Sequence, residues 1–273
     1  MQYYFIASCG LLAALFIVRA AVGYAGGAAK IDFGSSQTAG NRQLNADEID
    51  WAHYGDELCL AVADGIGPGE KAKTAARVAV HITARVFERT GAGENPAFFF
   101  RSSFKSANST ILRYVPDSTA GASLLAAIIK GGRLYYALAG NCRVSICRRG
   151  ELYDLSEGQT IDALARRAFK RKEISRADAL EAAKEARAYN FVGKDGFMDL
   201  EMFDTPVALE RGDTIALMTD GVYEFFPPGK LEGILSRRGA SQALARGVTD
   251  ALDRESHPEQ DNASIIVARV LRV

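Results

Sequence analysis

Ala61-Val62-Ala63-Asp64-Gly65 and Leu217-Met218-Thr219-Asp220-Gly221 repeat one pattern, an apolar strand that ends in Asp-Gly. A third acid, in Gln260-Asp261-Asn262, stands just before another apolar run, residues 263–270. An acid at the mouth of a buried strand is held on rigid backbone at the rim of the core. The neighbouring Gly lets the main chain approach a ligand, so a carbonyl can coordinate as well. Several acids meeting at one rim repel each other unless a cation sits between them. Oxygen ligands without Cys or His select magnesium or manganese. A single Asp-Gly dipeptide is more often a hairpin turn. Two copies after apolar strands, with a third acid, point to a metal site instead.

The sequence around these acids reads as alternating blocks of strands and helices. Residues 58–63 form a short continuous apolar run, a buried strand. Residues 70–88 carry Ala72, Ala75, Ala76, Ala79, Ile82 and Val86 at helical spacing, and Phe100, Phe104, Ala107 and Ile111 do the same for a second helix. Strand-like runs follow at residues 123–129, 133–138, 143–147 and 151–155, with turn signals at Gly131-Gly132 and Arg149-Gly150. Residues 160–188 read as charged helices. Strands return at 199–203, 214–218 and 263–270, with helices at 231–237 and 241–254. Helices grouped apart from strands indicate an α+β fold in which helices cover antiparallel sheets.

The chain has 273 residues, 48% of them apolar and 24% charged, enough to bury a large core without staples. Lys plus Arg and Asp plus Glu are 33 each, a balance that speaks against broad nucleic-acid binding. Cys9, Cys59, Cys142 and Cys147 form no CxxC pair, and His53, His81 and His257 are the only histidines. Disulfide scaffolds and thiolate or histidine metal sites are therefore not expected. Cys59, Cys142 and Cys147 fall on strand positions and read as core.

Residues 1–29 differ from the remainder. Residues 3–18 carry no charge and would span about 24 Å as a helix, and extension through residue 29 supplies the missing length. This is expected as an N-terminal hydrophobic helix acting as a membrane anchor, with Arg19 snorkelling towards one end. A cleaved signal peptide lacks its positive n-region here, and burial in the fold is the other alternative. Arg19 and Lys30 follow the apolar run, which places the domain of residues 30–273 in the cytoplasm, anchored or free.

Arg42 lies in Gly40-Asn41-Arg42-Gln43-Leu44-Asn45-Ala46-Asp47, ahead of the first Asp-Gly strand. Alone, such an Arg is a solvated surface residue. Beside a metal cluster its planar fork suits bidentate phosphate binding. Arg42-x-x-Asn45-x-Asp47, Ala63-Asp64-Gly65-Ile66-Gly67, Thr119-Ala-Gly-Ala-Ser123, Ala139-Gly140-Asn141-Cys142-Arg143, Thr219-Asp220-Gly221-Val222 and Asp261-Asn262-Ala263-Ser264 follow in order. Together they resemble the motifs of the metal-dependent protein phosphatases of the type 2C class, over residues 31–273.

The resemblance implies a central antiparallel β-sandwich with helices on both outer faces and two Mg or Mn ions at one end. By position, Asp64 would bridge the ions, with Asp220 and Asp261 on one and the Gly65 carbonyl on the other. Asp47, Asn262 and Asn141 would support this shell, and Arg42 would bind the substrate phosphate. Phosphoserine and phosphothreonine in a protein substrate would be hydrolysed by a metal-activated water, opposing a protein kinase. The chain departs from the family where Ala46 replaces an acid and where Asn141, a neutral and weaker ligand, replaces the acid of a third metal position. Those two departures leave a catalytically weak or inactive binding module as the alternative. The flap, about residues 159–192, holds Arg166, Arg167, Lys170, Arg171, Lys172 and Arg176, a solvated face or a basic lip.

Overall fold

Strands covered on both faces need apolar residues at every position, which accounts for the continuous runs in the sequence. In the computed structural model, residues 29–115, 119–184, 187–197, 199–226, 229–255 and 257–273 are described. Their strands form two antiparallel sheets. One runs in the order β1 (Lys30–Thr38), β11 (Ala263–Arg272), β10 (Thr214–Met218), β6 (Arg143–Arg148) and β7 (Glu151–Asp154). The other runs β2 (Glu48–Tyr54), β3 (Glu57–Ile66), β4 (Gly121–Lys130), β5 (Arg133–Ala139) and β8 (Glu201–Met202), with β9 (Val207–Ala208) also on β5.

The sandwich interior is built by alternation along each strand. Leu58, Leu60 and Val62 of β3, Leu125 and Ala127 of β4, Ile215 and Leu217 of β10, and Ile266 and Ala268 of β11 meet between the sheets. Their neighbours in sequence face outward to helices. Cys59, Ala61 and Ala63 pack under α1 (Gly69–Thr90) and α2 (Pro96–Tyr114). Ala72, Ala75, Ala76 and Ala79 of α1 are buried, so small side chains let this helix lie close to the sheet. Asn95 caps α2 by accepting from the Phe98 N–H at 3.1 Å, and Pro96 opens its first turn.

Two further helices, α3 (Ile161–Lys170) and α4 (Arg176–Ala182), lie between β7 and β8. A short helix, α5 (Asp220–Tyr223), follows β10. The first sheet is covered by α6 (Lys230–Leu235) and α7 (Ser241–Glu255), which bury Ile265 and Val267. The expected α+β sandwich with helices on both faces is the observed one. Cys59, Cys142 and Cys147 are buried free thiols, although Cys142 precedes β6 rather than lying in it.

Some local expectations are corrected. The first Asp-Gly pair does not end its strand, since β3 runs on to Ile66 with Asp64 and Gly65 inside it, whereas Asp220 and Gly221 follow β10 and open α5. The strand expected at 199–203 shrinks to Glu201–Met202. β1 and β2 form in segments with little apolar patterning, because full-length pairing with β11 and β3 supplies their hydrogen bonds. The expected hydrophobic helix and anchor at the N-terminus fall outside the described residues. Among the described residues no helix is long and apolar enough to cross a membrane.

Candidate metal centre

Asp64 continues the alternation of Leu58, Leu60 and Val62, so its carboxyl emerges at the mouth of the layer between the sheets. Opposite it on β4 stands Ser123. From the other sheet, β10 leads into Asp220 and the loop holding Asp261 leads into β11. Because β10 and β11 are paired, these two acids arrive side by side. Two glycines permit the closeness. A Cβ on Gly221 would lie 2.0 Å from the Asn262 carbonyl oxygen, and one on Gly65 would lie 2.5 Å from that of Ala72 and 2.8 Å from that of Ala46.

Hydrogen bonds then fix the loops that carry the acids. Asn262 donates to the carbonyls of Ala39 (2.9 Å) and Leu44 (3.0 Å) and accepts from the Ala46 N–H (2.8 Å), pinning the segment that bears Arg42. Asp47 is buried and accepts from the Thr219 hydroxyl at 2.8 Å through Oδ2. Its Oδ1 has no partner. Thr219 in turn accepts from the Ser264 N–H at 2.9 Å. Ser123 accepts from the N–H groups of Asn141 (2.9 Å) and Cys142 (3.0 Å), tying the Asn141 turn to the strand beside Asp64. The Tyr223 hydroxyl donates to the Asn141 carbonyl at 2.7 Å.

The electrostatics are those of a crowd of like charges. Burial pushes the Asp64 carboxyl well above the ordinary carboxylate range, and Asp220, Asp47 and Asp261 push it further. Burial likewise raises Asp47 to about 6 and Asp220 to about 7, the latter also through Glu224 and Asp47. Two groups partly relieve the crowd. Arg42 grips Asp261 with both ends of its fork, at 2.9 and 2.8 Å, and Asn141 donates from Nδ2 to Asp220 Oδ2 at 2.6 Å. With these bonds in place, no three Asp, Glu, His or Cys side chains among the described residues are grouped to hold an ion. The donor set itself suits one: converging carboxylates, backbone carbonyls, and the buried, unpartnered oxygens Asp47 Oδ1 and Asn141 Oδ1. All of these are hard oxygen atoms, the chemistry of Mg2+ and Mn2+. Beside them lies an open groove of about 560 Å³, lined by Arg42, Asp220, Glu224, Phe225, Glu259 and Asp261 among others.

The sequence model of the protein phosphatase 2C family matches residues 34–261, most of the chain. The chain belongs to that family. No curated protein matches the chain. Among solved structures, the fold is similar to the Streptococcus agalactiae serine/threonine phosphatase, at 17% identity and a TM-score of 0.77, covering 88% of this chain and 100% of that one. It is also similar to the Mycobacterium tuberculosis phosphatase PstP/Ppp, at 20% identity and a TM-score of 0.72, over 88% and 98% of the two chains. The Pseudomonas aeruginosa protein PppA, a regulatory component of the type VI secretion system, has 19% identity and a TM-score of 0.72, over 89% and 99%.

In this protein phosphatase 2C domain, Arg42 lies against Asp261, Asn141 against Asp220 and Asn262 against the Ala46 N–H, while Asp47, Asp220 and Asp261 lie near enough to Asp64 to raise its carboxyl. Ser123 and Thr219 stand inside motifs whose residue pattern gives them no role, and Tyr223 and Glu224 stand outside those motifs. The Asp-Gly repeat marked Thr219, one residue before the acid, but nothing local marked Tyr223 as the partner of the Asn141 turn.

Proposed function

We propose that the chain is a Mg2+- or Mn2+-dependent protein phosphatase that hydrolyses phosphoserine and phosphothreonine. The observation that supports this most is the crowding of Asp64, from one sheet, by Asp220 and Asp261 from the other, the latter two lining an open groove. Asp64, Asp220, Asp261 and the Gly65 carbonyl would hold the two ions. A solved structure of the catalytic domain of PstP, 20% identical to this chain, is described as a complex with two manganese ions, which supports that count. When bound, such ions supply Lewis acidity and a water acidic enough to act near neutral pH.

The remaining steps fall to the chain itself. Arg42 is exposed, and its bond to Asp261 is a surface ion pair that costs little to open. Asp261 would be among the residues that hold a cation, and the Arg42 fork, exposed at the groove, would offer its two donors to phosphate oxygens. Asp47 keeps Thr219 and the β10 end in place from beneath. The chain offers no thiolate nucleophile here, since burial pushes the Cys142 thiol well above its usual range. Hydrolysis by water therefore suits the site. The flap begins at Gln159, whose N–H donates to the Gly140 carbonyl at 2.7 Å, and returns at Val192, which bridges to Ala122 beside Gly65. It thus borders the site at both ends. Residues 1–29 would tether the domain at the cytoplasmic face of a membrane, opposite a protein kinase acting on the same substrates.

The test is hydrolysis of phosphoserine and phosphothreonine peptides with manganese and with chelator. Turnover with manganese that stops on chelation is expected. No turnover at any metal concentration would remove this reading.

A further inference from the structure

The chain enters the domain at the end of the sandwich opposite the metal centre. Lys30 pairs with Arg272, whereas Thr38 pairs with Ala263, next to Asp261 and Asn262. β6 gives the same polarity, since it runs from Arg143 near the Asn141 turn to Arg148, about 17 Å away at ~3.3 Å per residue. At this far end an open cleft of about 470 Å³ is lined by Arg148, Arg149, Arg211, Arg238 and Arg269, with Glu210 and Asp213 as its acids.

Those acids are already committed. Arg148 holds Asp213 and Glu210, and Arg149 holds Glu210. Arg269 is spent on Thr214 and on the carbonyls of Leu235, Arg237 and Gly239. Arg211, Arg237 and Arg238 are exposed and make no ion pair among the described residues. Lys30 and Arg272 are exposed at the same end, beside Leu271 and Val273, which are 40% and 48% exposed. In a chain whose formal net charge is zero, this is a concentrated positive surface with apolar residues at its edge.

We propose that this arginine end is a docking surface for an anionic lipid bilayer, with the metal centre facing away from it into water. Position and charge favour lipid over other anions. The uncharged residues 3–18 are separated from Lys30 by residues 19–29 only. The proposal rests on the reading that this segment enters a membrane, and a short tether then holds the arginine end at the headgroups. Guanidinium groups within about 8–10 Å of the surface feel its charge, and each adds about fivefold to binding.

The experiment uses the full chain and a triple variant, Arg211→Ser, Arg237→Ser and Arg238→Ser. Each is sedimented with vesicles of phosphatidylcholine alone and of phosphatidylcholine mixed with phosphatidylserine, at low and high salt. Thermal unfolding at an unchanged midpoint establishes that the variant is folded. The wild type is expected to prefer the anionic vesicles, the variant to lose most of that preference, and high salt to erase it. Anionic preference without any binding to phosphatidylcholine would support the surface while removing the anchor. Equal binding of wild type to both vesicles, at lipid concentrations that leave part of the chain unbound, would overturn the proposal. So would a variant that keeps the full preference, or tighter binding of wild type to duplex DNA than to the anionic vesicles.

Discussion

Asp213 and Asp47 are both buried acids of one sandwich, yet they lie at opposite ends and in opposite states. Asp213 accepts from Arg148 Nε at 2.8 Å, from Arg148 Nη2 at 2.7 Å and from the Glu210 N–H at 2.7 Å, so both oxygens are satisfied. Asp47 has one oxygen on Thr219 and one with no partner, and burial raises it to about 6. A carboxylate of the first kind secures the fold. One of the second kind costs stability and belongs where charge is to arrive from outside. The difference separates the two ends by purpose: one closed by arginine, the other left for a cation.

The largest effect should come from breaking the open end. Asp64→Asn removes the carboxylate placed at the centre of the cluster, and metal-dependent peptide hydrolysis should fall by ~1,000-fold or more, about 4 kcal/mol in the barrier. The same change removes a repelled charge. Thermal unfolding in chelator should therefore occur at a higher temperature than in wild type. Retained turnover would show that Asp64 is not a ligand, and a lowered midpoint would show that its charge is not repelled.

Breaking the closed end should do the reverse. Arg148→Ala leaves Asp213 buried without its counter-charge, at a cost of about 3 kcal/mol. Denaturant unfolding should show that loss, while turnover per folded molecule stays near wild type. A loss of turnover without loss of stability would contradict the separation of the two ends.

How much of this contrast the sequence discloses follows from how local each cause is. Asp64 and Asp220 are legible because the apolar strand before each sets the side on which it emerges. Strands buried on both faces, such as β3 and β4, announce themselves as unbroken apolar runs. β1 and β2 do not, since neither carries an unbroken apolar run: β1 is held by β11 at the far end of the chain, and β2 by the neighbouring β3 across the turn at Gly55 and Asp56. Asp213 and Arg148 lie 65 residues apart, and nothing near either shows that they pair. Nor does any local feature show that Arg42 closes on Asp261, or that Tyr223 reaches the Asn141 turn.

A smaller effect is expected from pH, acting on the open end alone. In the metal-free fold, Asp47 and Asp220 keep their protons up to about 6 and 7, whereas unfolded carboxyls lose them near 3.8. Between those values the folded chain binds more protons than the unfolded one. Stability in chelator should therefore fall as pH rises from about 4 to 7, by up to about 1.4 kcal/mol per unit for each carboxyl that ionises. Saturating manganese should abolish or invert that slope, because the ions replace the protons. Urea unfolding at several pH values, with and without manganese, measures both. A metal-free chain whose stability rises with pH across this window would refute the crowding of the open end.

The smallest effects should come from Ala46 and Asn141, the two positions where the resemblance implies acids. Asn141 holds Asp220 by an amide donor at 2.6 Å, which partly satisfies that carboxylate without a cation. Asn141→Asp exchanges this donor for another acid, so the open end becomes more open. The metal-free fold should lose stability while manganese binds about tenfold more tightly, the lower end of what an outer ligand contributes. Ala46→Glu adds an acid on a segment already fixed by Asn262, through the Ala46 N–H at 2.8 Å. Its backbone need not move, so the gain in manganese affinity should be similar or smaller, with little change in the metal-free fold. Titration calorimetry with manganese reads both variants without reference to turnover. If neither tightens binding, Asn141 and Ala46 lie outside the reach of the ions, and the open end is complete with Asp64, Asp220, Asp261 and the Gly65 carbonyl.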